Sequence, residues 1–311
     1  MNRNILISRL DKLEKFASAS KGIRLLAKPY KYINSVLFRE LIYKRRRQEK
    51  EVTSTTFFDA KMHLLLPSST DIYLTGGKSH NSEIRLTRFL LNNVKEGNVF
   101  IDIGAHYGYY SLLASKLVNE EGKVYSFEAS INNYQILKKN TENSNNIEIY
   151  NYAVSDEETM VVFYEFPNLF SEYNSLLIDQ FRSESWFKEF KPQEIKVKSV
   201  ILDNYFEDHK IKSNFIKIDV EGAEFKVING LSKHLTLYNP KVIMEYLSSP
   251  RGNIEHLKAE KTLRSIGYLP YFINSGGALQ ELNSIVGYLE SHNLDSDNIV
   301  FKRENDISLK Y

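Results

Sequence analysis

Cysteine is absent from the 311-residue chain. That absence excludes disulfide staples, zinc–thiolate sites, iron–sulfur clusters and a cysteine nucleophile. It also fits a reducing compartment. Long apolar runs are missing too. The longest stretch free of Asp, Glu, Lys and Arg runs from Ser265 to Gln280 and holds Pro270, Asn274 and three glycines. No membrane-spanning helix is therefore expected. Near the start, Arg9, Asp11 and Lys12 interrupt what would be the apolar core of a signal peptide. A cytoplasmic location is the expectation. With 42% hydrophobic and 26% charged residues, the composition excludes disordered, collagenous and low-complexity classes. The length allows one large domain or two small ones.

Charge is unevenly distributed. Residues 1–50 carry 14 Lys and Arg against 4 Asp and Glu, or +10, and the remainder carries −8. A basic arm thus precedes a mildly acidic body. In the arm Ile5, Leu10, Leu13 and Phe16 recur at roughly helical spacing. Pro29 divides it, and Val36, Leu37, Leu41 and Ile42 follow in a second helix ending at Lys44-Arg45-Arg46-Arg47. Such an arm packs on the acidic body or makes an oligomer contact. Alternatively it meets anionic lipid or a charged glycan carrier as a peripheral contact at the inner membrane face. No aromatic-interleaved basic platform follows, so nucleic acid is not an expected partner.

Three regions are expected: a basic helical extension over 1–51, a strand pair and helix over 52–97, and a nucleotide-binding α/β domain over 98–311. Residues 55–75 read as two strands joined by Pro67-Ser68-Ser69-Thr70-Asp71. A helix follows from Ser82 to about Asn93. From Val99 strands and helices alternate, the pattern of a doubly wound sheet. Strands are expected at 99–103, 123–127, 147–153, 215–219 and 241–246. Helices are expected at 109–118, 132–143, 223–235 and 253–266, the last ending at Gly267. Tyr268–Ile273 and Ile299–Lys302 read as an antiparallel pair at the sheet edge. A less regular segment spans 165–195.

The stretch Phe100-Ile101-Asp102-Ile103-Gly104-Ala105-His106-Tyr107-Gly108 carries the first chemical signal. An apolar strand meets a glycine turn, and a helix begins at once. Gly104 can take a positive φ and leave room for a ligand beside the backbone, and Gly108 opens the helix. A dinucleotide fingerprint would want glycine at 106 and 109, where His106 and Tyr109 stand. The next strand ends Ser126-Phe127-Glu128. Glu128 lies close to the usual interval from the glycine turn for an acid that accepts both hydrogen bonds of a ribose diol. After the third strand, backbone groups of Ala153 and Val154, or the Asp156 side chain, are placed to read an adenine amine. Of the 38 tyrosines and phenylalanines, most are expected to be core or surface filler. Tyr107, Tyr109 and Tyr110 are the cluster expected near the cofactor.

The blocks IDIGAHYGYYSLLASKL, GKVYSFEAS, YNYAVSDEE, ILDNYF and FIKIDVEGAEFKVINGL resemble the FkbM family of S-adenosylmethionine-dependent methyltransferases. The match runs from about His80 to Tyr246. The resemblance implies a class I methyltransferase (Rossmann-like) fold, a sheet of seven strands with the last antiparallel. It implies O-methylation of a hydroxyl on a saccharide, glycolipid or natural product. It also implies that Asp102, Gly104 and Gly108 line the methionine end of S-adenosylmethionine and that Glu128 takes the ribose. His106 departs from the asparagine often found there.

Methyl transfer needs an aligned acceptor oxygen and a dry site, and a hydroxyl benefits from a base. Asp219 and Glu221 stand at the C-terminal end of the fourth strand, the edge where open α/β sheets bind ligands. They could hold an acceptor hydroxyl, take its proton or bind a divalent ion. His106, Glu83, His80 and Glu245 are further candidates, with Asn174 and Ser175 in a natural acceptor lid. Asp203 reads as a helix cap. Two other functions compete: a nicotinamide-dependent oxidoreductase, which the glycine spacing opposes, and a non-catalytic scaffold, which the intact acids oppose.

Overall fold

The computed structural model describes residues 2–182 and 184–304. The last residues of the expected α/β region, 305–311, and Ser183 of the irregular segment lie outside them. Thirteen strands occur among the described residues. They are β1 (Lys50–Thr55), β2 (Lys61–Leu66), β3 (Val99–Ile103), β4 (Lys123–Phe127), β5 (Ile147–Tyr150), β6 (Ala153–Val154), β7 (Met160–Glu165), β8 (Gln193–Val200), β9 (Phe215–Ile218), β10 (Lys241–Leu247), β11 (Tyr268–Ile273), β12 (Leu279–Glu281) and β13 (Ser296–Arg303).

Eight of them form the main sheet in the order β12-β11-β13-β10-β9-β3-β4-β5. The five strands from β10 to β5 are parallel. Most of their residues are apolar, β-branched or aromatic, as expected of parallel strands covered on both faces. β13 runs antiparallel between β10 and β11, so the last strand is interior to the sheet and not at its edge. The short β12 extends the edge beyond the seven expected strands. The sheet reverses its order of growth between β3 and β9, which opens a crevice above their C-terminal tips.

Several expected elements change on folding. Residues 61–66 do form a strand, but its partner is residues 50–55, and Pro67–Asp71 lead into a helix at Thr70–Thr75 instead of a hairpin turn. The expected strand over 147–153 breaks at Asn151-Tyr152. Its last residues leave the main sheet and pair with β8 in a separate β6-β8-β7 sheet. The helix expected over 223–235 is interrupted near Gly230, where a Cβ would lie 2.3 Å from the Ser155 carbonyl oxygen. The segment over 165–195 is irregular and lies between β7 and β8, with 3₁₀ turns at Asn168–Tyr173 and Asp179–Phe181. An aromatic cluster orders it, with Trp186 stacked on Phe170 at 4.1 Å and on Tyr173 at 5.4 Å.

The first helix, Arg3–Ala17, buries Leu6, Leu10 and Leu13 in the same apolar cluster as Phe89, Phe100 and Phe215. Arg85 donates two hydrogen bonds to buried Asp297, at 2.8 and 2.7 Å, and ties the helix Asn81–Asn93 to β13. That helix carries Glu83 over the crevice. No described helix is long and apolar enough to cross a membrane.

Candidate functional site

A cavity of about 380 Å³ opens above the tips of β3, β4, β9 and β10. Its floor begins with Gly104 at φ +79°, where a Cβ would sit 1.8 Å from the Asp219 carbonyl oxygen. Only glycine lets β3 turn this close to the neighbouring strand tip. Gly108 caps the helix Tyr109–Val118 at φ +85°, is not among the residues lining the cavity, and has no room for a side chain, since a Cβ there would lie 2.6 Å from Leu137. It shapes the turn that leads from Gly104 into the helix. Asp102 is 1% exposed. Its Oδ2 accepts from Ser111 at 2.6 Å, and Ser126 in turn donates to Ser111. Its Oδ1 is buried with no partner among the described residues. Burial raises the Asp102 carboxyl, and Lys217 opposes the rise.

Glu128 ends β4 inside the cavity wall. Its Oε2 accepts from the His106 backbone N–H at 2.7 Å and its Oε1 from the Ser130 N–H at 2.9 Å. Burial pushes its carboxyl up to about 7 against those two bonds. Each oxygen keeps lone pairs for further donors. Tyr152, Ala153 and Val154 line the far end of the same wall. Asp156 does not. It turns outward, accepting from Asn229 at 3.4 Å and from Ser155 at 3.3 Å. Tyr107, Tyr109 and Tyr110 are in the lining as expected, joined by Tyr152 and Tyr173.

The opposite end is a charged cluster. Lys217 Nζ lies 2.9 Å from Asp219 Oδ2. Burial pushes the Asp219 carboxyl up, but Lys217 and Lys78 outweigh it and hold it at about 2. Asp219, Glu221 and Glu245 bring carboxyl oxygens within 4.8 Å of one another. Burial raises Glu221 well above the ordinary carboxylate range, and the charges of Glu245 and Asp219 add to the shift. Burial and Asp219 likewise raise Glu245, to about 8, although Ser296 donates to it at 2.7 Å. Glu221 adopts φ +54°, a conformation that L-residues resist. Its carbonyl accepts from Ser175 and, at 2.9 Å, from Gln180. The irregular segment thereby clamps the strand tip that carries Glu221.

Glu83 lines the cavity, accepting from the Tyr110 hydroxyl and facing Lys78 at 3.6 Å. His80 also lines it, with Nδ1 on Ser82 at 2.8 Å. His106 takes φ +50° and stacks on Tyr107 at 3.8 Å, with Nε2 3.1 Å from Ser171. Burial and then Lys78 push its ring down to about 3. A neutral imidazole of that kind is a weak base and joins the glycine turn to the lid instead. Asn174 lines the cavity. Its Oδ1 accepts from Phe166 N–H at 2.7 Å, and its Nδ2 is buried without a partner among the described residues. Ser175 lies behind it, outside the lining. Asp203 caps the helix Ser232–Tyr238, accepting from Lys233 and His234 N–H at 2.9 and 2.8 Å.

Lys78, Lys217 and Arg251 are cavity residues that the sequence reading missed. Lys217 left a readable trace, a lysine inside the otherwise apolar Phe215-Ile216-Lys217-Ile218 strand. Lys78 follows Gly76-Gly77 in a loop whose destination no local pattern reveals.

Sheet order, glycine turn, strand-tip acid and switch-point crevice together define a class I methyltransferase. A family model described as the methyltransferase FkbM domain matches residues 102–270. The chain belongs to the FkbM methyltransferase family. Among solved structures it resembles methyltransferase FkbM from Methylobacillus flagellatus KT, at 13% identity and TM-score 0.41, over 76% of this chain and 55% of that one. This chain thus spans about half the length of that protein. An S-adenosylmethionine-dependent O-methyltransferase from Thermotoga maritima is similar at 11% identity and TM-score 0.38, over 82% and 77% of the two chains. Aeropyrum pernix fibrillarin, in complex with natively bound S-adenosyl-L-methionine, is similar at 11% identity and TM-score 0.37, over 67% of each chain. No curated protein matches.

The residues present fit S-adenosylmethionine. The unpaired Asp102 Oδ1 offers an acceptor to an ammonium group. Gly104 leaves the loop without a side chain at the turn, and Glu128 has acceptor capacity for a ribose diol. The family and this fit together set aside the nicotinamide reading.

Proposed function

We propose that this chain transfers a methyl group from S-adenosylmethionine to a hydroxyl oxygen of a saccharide, glycolipid or related natural product. When bound, the cofactor supplies a methyl carbon on a sulfonium leaving group. The protein's part is alignment, water exclusion and proton removal. Asp102 and Glu128 would hold the two ends of the cofactor, with Tyr152, Ala153 and Val154 beside its base.

The observation that carries the reading is the carboxyl trio at the strand tips, split in protonation by its neighbours. Lys217 and Lys78 keep Asp219 ionised, so it serves as the acceptor for the substrate hydroxyl and orients it. Burial raises Glu221 above the ordinary carboxylate range, and the charges of Glu245 and Asp219 add to the rise. In its ionised form a carboxylate raised in this way is the stronger base toward a hydroxyl proton. The unpaired Asn174 Nδ2 offers a donor to another acceptor oxygen. Aromatic rings of the lid, Tyr173 foremost, suit a sugar face.

The three carboxyls are also an oxygen donor set of the kind that holds a divalent cation. Lys217, at 2.9 Å from Asp219, already supplies a positive charge there, which favours the acid–base reading. Incubation with labelled S-adenosylmethionine and cell-envelope glycan extracts tests both. Label on a sugar oxygen, undiminished by EDTA, is the expected result. Label on nitrogen or carbon overturns the oxygen assignment. Loss with EDTA and recovery with magnesium makes the trio a metal site.

A further inference from the structure

The basic arm divides into two halves with opposite behaviour. Its first helix buries Leu6, Leu10 and Leu13 against the body. The second half, residues 21–46, does the reverse. Ile23, Leu26, Tyr30, Ile33, Leu37 and Leu41 are all exposed, Leu26 by 82% and Tyr30 by 79%. They are spread over two short helices, Lys21–Ala27 and Pro29–Leu37, and the turn Phe38–Tyr43 that follows. Ser35, Phe38 and Tyr43 are buried, while Lys28 and Lys31 donate to carbonyls of Leu74 and Tyr73. The segment is therefore seated on the protein by one side and shows an apolar stripe on the other.

Charge decides what the stripe fits. Residues 21–47 hold nine Lys and Arg and a single acid, Glu40. Lys21, Arg45 and Arg46 are exposed with no ion-pair partner among the described residues. A second copy of the same face would bring like charges together. An anionic bilayer would accept the apolar side chains among its acyl chains and the cations at its headgroups. We infer that residues 21–46 form a peripheral docking surface for an anionic membrane.

The placement also links that surface to the reaction cavity. Leu169 of the lid donates its N–H to the Tyr43 hydroxyl at 3.0 Å. Arg47 stacks on Phe190 at 3.9 Å. Beneath the arm lies a second cavity of about 370 Å³, lined by Arg24, Lys28 and Arg39, which shares Asp71 and Glu172 with the first. A docked arm thus holds the lid and the catalytic chamber near the lipid surface. The inference stands independently of which hydroxyl is methylated.

Vesicle co-sedimentation of the full chain tests it. The lipids are phosphatidylcholine alone and phosphatidylcholine mixed with phosphatidylglycerol. Binding is expected to the mixed vesicles at low salt, to weaken as salt rises, and to be absent on phosphatidylcholine alone. Two variants change only exposed side chains, Leu26→Glu/Tyr30→Glu and Arg45→Glu/Arg46→Glu. Each is expected to lower partitioning by about tenfold or more, with circular dichroism and S-adenosylmethionine affinity unchanged. No binding to anionic vesicles at low salt overturns the inference. So does undiminished binding by the Leu26→Glu/Tyr30→Glu variant. A solution dimer that this variant dissociates would instead make the stripe a self-association face, and the inference would fall.

Discussion

Gly104 and Asp219 meet so closely that a Cβ on residue 104 would lie 1.8 Å from the Asp219 carbonyl oxygen. The cofactor turn after β3 and the acidic tip of β9 are thus one packed unit. Gly104→Ala must push the two apart and force alanine into φ +79°. A loss of about 2 kcal/mol or more of stability is expected, together with loss of S-adenosylmethionine binding. Thermal denaturation and calorimetric titration check the two effects.

Glu128 gives a separate test of the cofactor end. Glu128→Ala removes acceptors for the ribose diol and for the backbone N–H groups of His106 and Ser130. Cofactor affinity should fall by about 1–3 kcal/mol. Burial raises this carboxyl to about 7, and the ionised form is the better acceptor. Affinity should therefore increase as pH rises through about 7. In Glu128→Gln that dependence should flatten. Equal affinity on both sides of neutrality in the wild type would contradict the assignment.

Lys217 should act through Asp219. Lys217→Met deletes the cation 2.9 Å from Asp219 Oδ2, so the Asp219 carboxyl should rise from about 2. Activity that needs it ionised is then lost as pH falls through the higher value. Compared at saturating S-adenosylmethionine, since Lys217 also bears on Asp102, the acidic limb of the pH–rate profile should move upward. A purely structural lysine would lower activity without moving that limb.

The raised carboxyls also set a stability trend. Glu128, Glu221 and Glu245 bind protons more tightly folded than unfolded, where a glutamate titrates near 4.5. The folded state then holds more protons, so stability falls as pH rises from about 4.5 toward 8. The urea midpoint of the cofactor-free protein should be lower at pH 8 than at pH 5 (the span of those shifts). Saturating S-adenosylmethionine should raise the midpoint at both values.

Local signals carried most of the sheet and half of the site. β3, β4, β9 and β10 are buried on both faces and read as short apolar runs. Asp102, Gly104, Glu128, Asp219 and Glu221 sit at their ends. What escaped the sequence depends on distant partners. Tyr152 and Ala153 follow β5 after the single polar residue Asn151, yet Ala153 leaves the sheet to pair with Ser199. Strands β7 and β8 border a segment whose order comes from Trp186 and its aromatic neighbours, not from periodicity. Lys78 reaches the cavity by the path of a loop. Gly108 and Asp156 looked like ligand contacts from their motifs, but neither lines the cavity, and Asp156 pairs with Asn229 instead.

The central claim is hydroxyl methylation at the carboxyl trio. Transfer of labelled methyl from S-adenosylmethionine to the glycan extract measures it directly when wild type, Asp219→Asn and Glu221→Gln are compared at equal cofactor saturation. The wild type should yield an O-methyl sugar. At least one variant should fall by about 100-fold or more while binding the cofactor as the wild type does. Full transfer by both variants, or a product methylated on nitrogen or carbon, would contradict the account.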